Sequence, residues 1–280
     1  MRGYQGKDKK MKIAFIGSGS MGEAMISAVL GQGAFAPDTI CACDIDQTRL
    51  TTIGGKYKVR CTSDVGSALS DSEVVVLSIK PQVLAKVMKD LKGKLSEGQL
   101  ALSIVAGAKL DTIVKGLGHD QVVRVMPNTP AQVGEGMSVW TATRAVSQEQ
   151  KDAVQTILRA MGKEIYFPEE KYIDMATAIS GSGPAYIFLI MEALIDAAVH
   201  IGLPRETAVE LVTQTVLGSA RIADESGKHL AQLRNMVTSP GGTTAEGLQC
   251  LEEGGMRAII AQAVIAAYEK AKLLGGDDAK

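Results

Sequence analysis

The chain has 280 residues, of which 46% are hydrophobic and 22% are charged, and its formal net charge is −1. This length accommodates two domains with substantial cores. The charge balance excludes the basic field that binds nucleic acid or an anionic membrane surface, so neither partner is expected. The four cysteines and three histidines lack the spacing of a zinc site, and we expect no bound metal.

The first ten residues, MRGYQGKDKK, are polar and predict a disordered leader rather than a secretory signal. The fold is expected to begin at Met11. The longest apolar run, residues 184–199, contains Glu192 and Asp196 and is expected to be too short to cross a bilayer. Together these features predict a cytoplasmic protein without a membrane partner.

A short apolar strand, residues 12–16, leads directly into the sequence GSGSMG, and a strong helix-forming segment follows. This order of strand, G-x-G-x-x-G turn and helix predicts a dinucleotide-binding site. Backbone N–H groups and the positive end of the helix dipole would face the pyrophosphate. The candidate cofactor residues are Gly17, Ser18, Gly19, Ser20, Met21 and Gly22.

Apolar strands alternate with helices through the first half of the chain. The strands are predicted at residues 12–16, 39–43, 73–78, 99–104, 121–126, 137–141 and 164–167. Such alternation is typical of a doubly wound parallel sheet with helices on both faces. We therefore predict an α/β fold with a Rossmann-type dinucleotide-binding domain over residues 11–168.

After Pro168 the pattern predicts helices alone, separated by glycine and proline. Their expected ranges are 184–200, 205–225, 230–237, 245–253 and 257–274. The first is apolar nearly all round and must be covered on every side, which five helices hardly achieve within one chain. We infer an all-helical domain over residues 169–280 that forms a homodimer.

Asp44 ends the second predicted strand, 22 positions after Gly22. An acidic residue there accepts hydrogen bonds from the adenosine ribose, which favours NADH. The nearby Arg49 could instead receive the 2′-phosphate of NADPH, so the pattern leaves both NAD and NADP open. A solvated surface aspartate is the alternative interpretation of Asp44.

Three loops at the carboxyl ends of later strands add candidates for the cofactor site, because such loops line the ligand crevice of an open parallel sheet. They carry Ser78, Ile79, Lys80 and Pro81, then Ile104, Val105 and Ala106, and finally Asn128. The small residues of the second loop suit a nicotinamide ring lying flat against backbone. Lys80 could equally be an exposed loop lysine, and the loop at Asn128 a structural turn.

Two clusters of small residues, 180–184 and 239–244, each precede a predicted helix. Free N–H groups and hydroxyls at a helix N-terminus bind carboxylates. The clusters, which include Ser182 and Ser239, therefore predict a site for a small anionic substrate, with helix capping as the alternative for each. No His/Asp or Cys/His pair stands out, which agrees with hydride transfer, because the cofactor carries that reaction.

Five motifs, in order along residues 11–274, resemble those of pyrroline-5-carboxylate reductases. They are IKP at 79–81, AG at 106–107, MPNTP at 126–130, GSGPAY at 181–186 and LRNMVTSPGGTTAEGL at 233–248. The resemblance implies reduction of the C=N bond of 1-pyrroline-5-carboxylate to L-proline with NAD(P)H, the last step of proline biosynthesis. It also implies a helical domain that forms dimers and larger homo-oligomers.

The resemblance further implies which residues bind the substrate. Gly242, Thr243 and Thr244 would bind its carboxylate, and the catalytic Thr244 hydroxyl would reach the ring nitrogen. Some members use a glutamate at the position of Gly227, so Glu225 is the nearest equivalent here. In another departure, Val65 stands where some members have an asparagine near the ribose.

Two other functions are compatible with parts of the sequence. A 3-hydroxyacid dehydrogenase of the 6-phosphogluconate type combines a Rossmann half with a helical half. It needs a lysine base on a helix, and residues 184–199 contain no lysine. A non-catalytic dinucleotide sensor would bind NAD(P)H and leave it unoxidised when pyrroline-5-carboxylate is added.

Overall fold

In this computed structural model the chain is described over residues 11–276, so the predicted leader lies outside the described residues. The chain forms two compact units. The first comprises residues 11–182 and 267–276, and the second comprises Gly183–Ala266. The predicted functional division between residues 168 and 169 stays a prediction.

The first unit is built on one sheet of eight strands. The strands are β1 (Ile13–Ile16), β2 (Ile40–Cys43), β3 (Arg60–Thr62), β4 (Val74–Leu77), β5 (Leu100–Ser103), β6 (Val122–Met126), β7 (Gly136–Ala142) and β8 (Gly162–Tyr166). Their spatial order is β3-β2-β1-β4-β5-β6-β7-β8. All neighbours are parallel except β6 and β7, which pair antiparallel.

Helices cover both faces of this sheet. They are α1 (Ser20–Gly31), α2 (Gln47–Tyr57), α3 (Val65–Leu69), α4 (Pro81–Leu91), α5 (Leu110–Leu117), α6 (Gln148–Arg159) and α7 (Lys171–Ala176). Short 3₁₀ turns occupy Pro37–Thr39 and Thr129–Val133, and a π turn follows α7 at Thr177–Gly181. Sequence reasoning missed α7, which lies before the long apolar run.

The two apolar layers follow from the alternation of side chains along each strand. In β1, Ile13 and Phe15 enter one buried cluster, whereas Ala14 and Ile16 enter the other.

Several helices begin at side-chain caps. Asp46 accepts the N–H groups of Thr48 and Arg49 at the start of α2, and Ser147 forms a capping box with Gln150 at the start of α6. The doubly wound arrangement predicted from the sequence is therefore confirmed.

The second unit contains helices alone among its described secondary structure. They are α8 (Gly183–His200), α9 (Arg205–Glu225), α10 (Leu230–Met236), α11 (Thr243–Glu253) and α12 (Met256–Leu274), which belongs to this unit up to Ala266. Their bounds agree with the predicted helices to within about two residues, because proline and glycine mark most of their ends.

Large apolar side chains of the second unit face solvent in the single chain. Helix α8 packs against α9, yet none of its residues is buried. Phe188 and Leu189 are 60% and 65% exposed, and Ile259 of α12 is 61% exposed. Patches of this extent mark an interaction surface. In the single chain, α8 therefore lacks the cover that its apolar sequence requires.

One helical segment of the described chain, Lys171–His200, is long and apolar enough to span a membrane by length and composition. It has 30 residues because α7, the π turn and α8 form one continuous helical segment. The expectation that this part of the chain is too short to cross a bilayer was therefore wrong. A core or interface helix of a soluble protein passes the same test.

A buried ion-pair cluster ties three elements of the first unit together. Arg124 of β6 is 3% exposed, and its guanidinium donates to Glu170 Oε1 at 2.8 Å and to Asp174 Oδ1 at 2.6 Å. The same Glu170 oxygen accepts the N–H of Leu110 at 2.8 Å, at the start of α5. The cluster therefore fixes α7 and the β5–α5 loop to the sheet.

Replacing Arg124→Met should lower the free energy of unfolding by about 3–5 kcal/mol, because the Asp174 carboxylate would stay buried without its counter-charge. Urea titration at a fixed protein concentration measures this loss. The control Lys115→Met breaks the exposed pair with Asp111 and should change stability little. Equal effects of the two substitutions would contradict a structural role for the buried cluster.

Candidate cofactor and substrate sites

The predicted cofactor residues of the first unit gather at one edge of the sheet. β1 lies between β2 and β4, so the chain leaves the carboxyl end of β1 in one direction and that of β4 in the other. Ligands of open α/β sheets bind at such a switch point. The loops after β1, β2, β4, β5 and β6 all lie along this edge, whereas a cavity of about 570 Å³ near Met11 lies at the opposite one.

The glycine turn after β1 is packed too tightly to carry side chains at two of its three glycines. Gly17 has φ +97°, and a Cβ on it would lie 2.6 Å from the Ser78 carbonyl oxygen. A Cβ on Gly22 would lie 2.5 Å from the Gly17 carbonyl oxygen. Gly19 differs, since a Cβ there would meet nothing within 4 Å. The turn thus leaves open space at Gly19, at the entrance to α1.

The start of α1 has the features that a dinucleotide requires. Its N-cap residue is Gly19, so no side chain accepts the N–H groups of the first turn, which begins with Ser20 and Met21. The Ser18 hydroxyl is buried and has no hydrogen-bond partner. Uncapped N–H groups at the positive end of a 12-residue helix favour an anion. The residues present therefore fit the pyrophosphate of a nicotinamide dinucleotide.

Two charged side chains bind the main chain of Ser18, one at its N–H and one at its carbonyl oxygen. Asp44 Oδ2 accepts the Ser18 N–H at 2.7 Å, and its Oδ1 accepts the N–H of Asp46 at 3.1 Å. Arg49 Nε donates to the Ser18 carbonyl oxygen at 2.5 Å. Asp44 and Arg49 consequently lie close together, on either side of one residue, at the place predicted for the adenosine ribose.

The loop after β4 contacts the glycine turn directly. Ser78 Oγ donates to the Gly17 carbonyl oxygen at 2.6 Å, and Ile79 packs so close that a Cβ on Gly17 would lie 2.7 Å from it. Lys80 caps α4 and is exposed, and Pro81 is the first residue of that helix. This loop lies beside the predicted pyrophosphate site, and the Ser78 hydroxyl stabilises the glycine turn through its hydrogen bond.

The loop after β5 presents backbone rather than side chains. Ile104 donates its N–H to Leu77 O at 3.1 Å, and the Val105 side chain is 3% exposed within the apolar core. Ala106 is half-buried, and a Cβ on Gly107 would lie 3.0 Å from Leu274 of α12. Val105 can therefore reach a ligand only through its main chain.

Asn128 is already engaged within the first unit. Its Nδ2 donates to Ser180 O at 3.0 Å, and its Oδ1 accepts the Met137 N–H at 2.8 Å. The side chain thus fastens the loop after β6 to the π turn and to β7. This agrees with the structural turn that the sequence left open as an alternative.

The substrate loop predicted in the second unit begins α11. Gly242 is the N-cap without a side-chain cap, and its N–H donates to Ser239 O at 3.0 Å. Thr243 and Thr244 form the first turn, with Thr243 exposed and Thr244 half-buried. A Cβ on Gly242 would lie 2.5 Å from Ser239 Oγ, so the loop folds tightly on itself. Its open amides can receive an anion.

Two predicted substrate residues lie in settings that the sequence did not indicate. Ser182 follows the π turn inside a continuous helix, and its N–H donates to Thr177 O at 2.8 Å. The expectation that residues 180–184 begin a helix with free N–H groups was therefore wrong. Glu225 is the exposed last residue of α9, 3.9 Å from Arg221, and Gly227 follows it with φ +64°.

Sequence reasoning missed a carboxylate beside the glycine turn. Glu23, in the first turn of α1, accepts hydrogen bonds from Arg49 at 2.5 Å and from Lys56 and Tyr57 at 2.9 Å each. The Lys56 ammonium, the Tyr57 hydroxyl and the Arg49 guanidinium hold the pKa of the Glu23 carboxyl below its usual range. An acidic residue in the first turn was the only local signal.

The cysteines agree with their interpretation as free thiols. Cys41 and Cys43 are buried in β2, and burial raises the pKa of the Cys43 thiol to about 11. The thiol therefore stays protonated at neutral pH and is a poor nucleophile. Neither thiol offers chemistry to the site.

Two family models match the chain. The one described as pyrroline-5-carboxylate reductase dimerisation matches residues 170–274, and the one described as NADP oxidoreductase coenzyme F420-dependent matches residues 12–107. Pyrroline-5-carboxylate reductases of Arabidopsis thaliana and Escherichia coli are 41% and 35% identical to it. The matches cover 95% and 94% of this chain and 96% and 98% of theirs. The chain belongs to the pyrroline-5-carboxylate reductase family.

Solved structures agree with this assignment. The pyrroline-5-carboxylate reductase of Coxiella burnetii has a TM-score of 0.89 at 40% identity, covering 95% of this chain and 99% of its own. The Plasmodium falciparum enzyme, solved with NADP bound, has a TM-score of 0.87 at 33% identity, covering 95% and 98%. Prephenate dehydrogenase from A. aeolicus, 15% identical with a TM-score of 0.54, shares the fold alone.

Family membership confirms the function predicted from the motifs. The chain is an NAD(P)H-dependent oxidoreductase that reduces 1-pyrroline-5-carboxylate in proline biosynthesis. The family's dimerisation region includes α8 and α12, which supports the homodimer inferred from the apolar helix.

The substitution Gly19→Ala should separate cofactor binding from folding. The added methyl group meets no protein atom, so the melting temperature should shift by no more than about 2 °C. It would occupy the space through which phosphate approaches the backbone, and the Kd of NADP⁺ should rise at least about tenfold. Calorimetric titration and thermal melting measure the two quantities.

Gly22→Ala is the matched comparison, because its methyl group would collide with the Gly17 carbonyl oxygen. It should lower the melting temperature clearly. Unchanged nucleotide affinity in a well-folded Gly19→Ala variant would show that the phosphates do not approach this turn.

Proposed function

We propose that the dinucleotide binds along the carboxyl edge of the sheet, with its pyrophosphate on the first turn of α1. The single observation that carries this placement is the open, uncapped glycine at the start of that helix. The adenosine end would lie at Asp44, and the nicotinamide end along the backbone of Ile104–Ala106. Ser78 to Pro81 and Asn128 would shape the crevice between these ends.

We propose further that the substrate carboxylate binds the loop at Gly242, Thr243 and Thr244, through the N–H groups of Thr243 and Thr244, since the Gly242 N–H donates to Ser239 O. Support comes from the uncapped N-terminus of the 11-residue helix α11, whose dipole favours an anion. Ser239 would brace this loop through its carbonyl oxygen, which accepts the Gly242 N–H. Ser182 stays a candidate through the GSGPAY motif, and Glu225 as the glutamate nearest to Gly227, where some members of the family carry one.

The bound nicotinamide supplies the hydride for this reaction. The protein's part is to orient the imine and to favour its N-protonated form, since an iminium accepts hydride more readily than a neutral imine. We assign the hydrogen bond to the ring nitrogen to the Thr244 hydroxyl, which also holds the product amine. The proton itself comes from this hydroxyl or from solvent, and the rate arises mainly from orientation.

The two alternative functions lack support of this kind. α8 contains no lysine that could act as the base of a 3-hydroxyacid dehydrogenase. A sensor has no need of the substrate loop at α11. The cytoplasm stays our prediction for the compartment.

Thr244→Ala should lower kcat by about 10- to 100-fold, because the ring nitrogen would lose its hydrogen-bond partner in the transition state. The KM for NAD(P)H should change less than about twofold. Oxidation of the cofactor followed at 340 nm gives both constants. In the control Thr215→Ala, the hydroxyl lost is bonded to Leu211 O within α9, and kinetics should be preserved. Wild-type turnover by Thr244→Ala would remove this residue from the mechanism.

We also propose that dimers associate into a larger homo-oligomer, as the family resemblance implies. Light scattering after size-exclusion chromatography should then give a mass that is a multiple of the dimer mass. A dimer that persists over a hundredfold range of protein concentration would contradict the larger assembly.

A further inference from the structure

Glu23 lies where it can compete with a cofactor phosphate. Its carboxylate is on the first turn of α1, next to the glycine turn, and its Oε2 accepts Nη2 of Arg49 at 2.5 Å. Arg49 also donates Nε to the carbonyl oxygen of Ser18, the residue whose N–H is accepted by Asp44. The guanidinium is therefore fixed beside the predicted ribose site and is paired with an internal anion.

A 2′-phosphate on the adenosine ribose distinguishes NADP from NAD, and a nearby arginine is the group that accommodates it. Arginine binds phosphate through charge-assisted, often bidentate, hydrogen bonds. Glu23 offsets part of the Arg49 charge, while Asp44 and Asp46 add two further negative charges nearby. An incoming phosphate would have to compete with the Glu23 carboxylate, which already accepts from Arg49 Nη2.

We propose that Glu23 is a specificity-determining residue that lowers the affinity for NADP(H) relative to NAD(H) by pairing with Arg49. The proposal rests on the placement of the dinucleotide given above. Glu23 acts through Arg49 and touches no reacting atom. Its ionised state at neutral pH agrees with a pKa held low by Lys56, Tyr57 and Arg49.

The geometry of the carboxylate makes Glu23→Gln a selective test. Oε1 accepts from Lys56 and Tyr57, and an amide oxygen can continue to accept both hydrogen bonds. Oε2 faces Arg49, and an amide NH₂ there would place donor against donor. The substitution should therefore release Arg49 and preserve the other two contacts.

Calorimetric titration without substrate would give the Kd of NADP⁺ and of NAD⁺ for each variant. Glu23→Gln should raise the ratio of NADP⁺ affinity to NAD⁺ affinity by about three- to tenfold. This change corresponds to the free energy of a partly buried ion pair. The gain should fall as salt rises, because it depends on charge. A change below twofold would overturn the proposal.

Arg49→Met separates this role from simple helix packing. In the Glu23→Gln background it should abolish the gain in NADP⁺ affinity, whereas in the wild-type background it should alter the ratio less than twofold. A gain that survives removal of Arg49 would overturn the proposed route. The two backgrounds together keep the test valid if one variant is poorly folded, which thermal melting would show.

Lys56→Met is the matched control. It removes a partner from Glu23 Oε1 and leaves the contact with Arg49 in place, so the affinity ratio should stay unchanged. A shift equal to that of Glu23→Gln would reduce Glu23 to a packing role and overturn the proposal. Failure of the wild-type chain to bind either dinucleotide would instead refute the placement of the cofactor.

Discussion

The close packing of the β1–α1 turn against the end of β4 is the constraint on which the candidate cofactor site depends. Two backbone oxygens, those of Gly17 and Ser78, occupy the space that side chains on the glycines would need, and the Ser78 hydroxyl bonds the turn in place. This contact carries α1 over the switch point of the sheet and points its N-terminus into the crevice. Asp44 and Arg49 then bind the main chain of Ser18, at its N–H and at its carbonyl oxygen.

Most of the fold could be predicted because its strands are continuous apolar runs and its helices end at glycine or proline. The exceptions have physical reasons. β3, Arg60–Thr62, is three residues of mixed polarity at the edge of the sheet, and so it carries no apolar signal. The direction of β7 depends on its pairing with β6, which no local pattern encodes. α7 was missed because the small residues 180–184 were expected to begin the helix, whereas the chain passes from α7 through a π turn into α8.

The candidate site could be predicted from the sequence where the backbone of one short segment forms it. It could not be predicted where side chains from distant parts of the sequence meet. The glycine turn and the loop before α11 each have a signature within one short segment of sequence. The pairs Asn128–Ser180 and Arg49–Glu23 join residues 52 and 26 positions apart, and only the folded sheet brings them together. Val105 illustrates the same limit, since its strand pattern could not show that its side chain points into the core.

The uncovered surface of α8 and α12 has a consequence for how this protein holds its shape. A unit whose apolar helices are buried only against another copy draws part of its stability from association, so mass action governs it. Dilution then acts as a mild denaturant, and freshly synthesised chains must find each other before Phe188 and Leu189 leave water. Cellular abundance of the enzyme thereby becomes one determinant of whether its helical half persists.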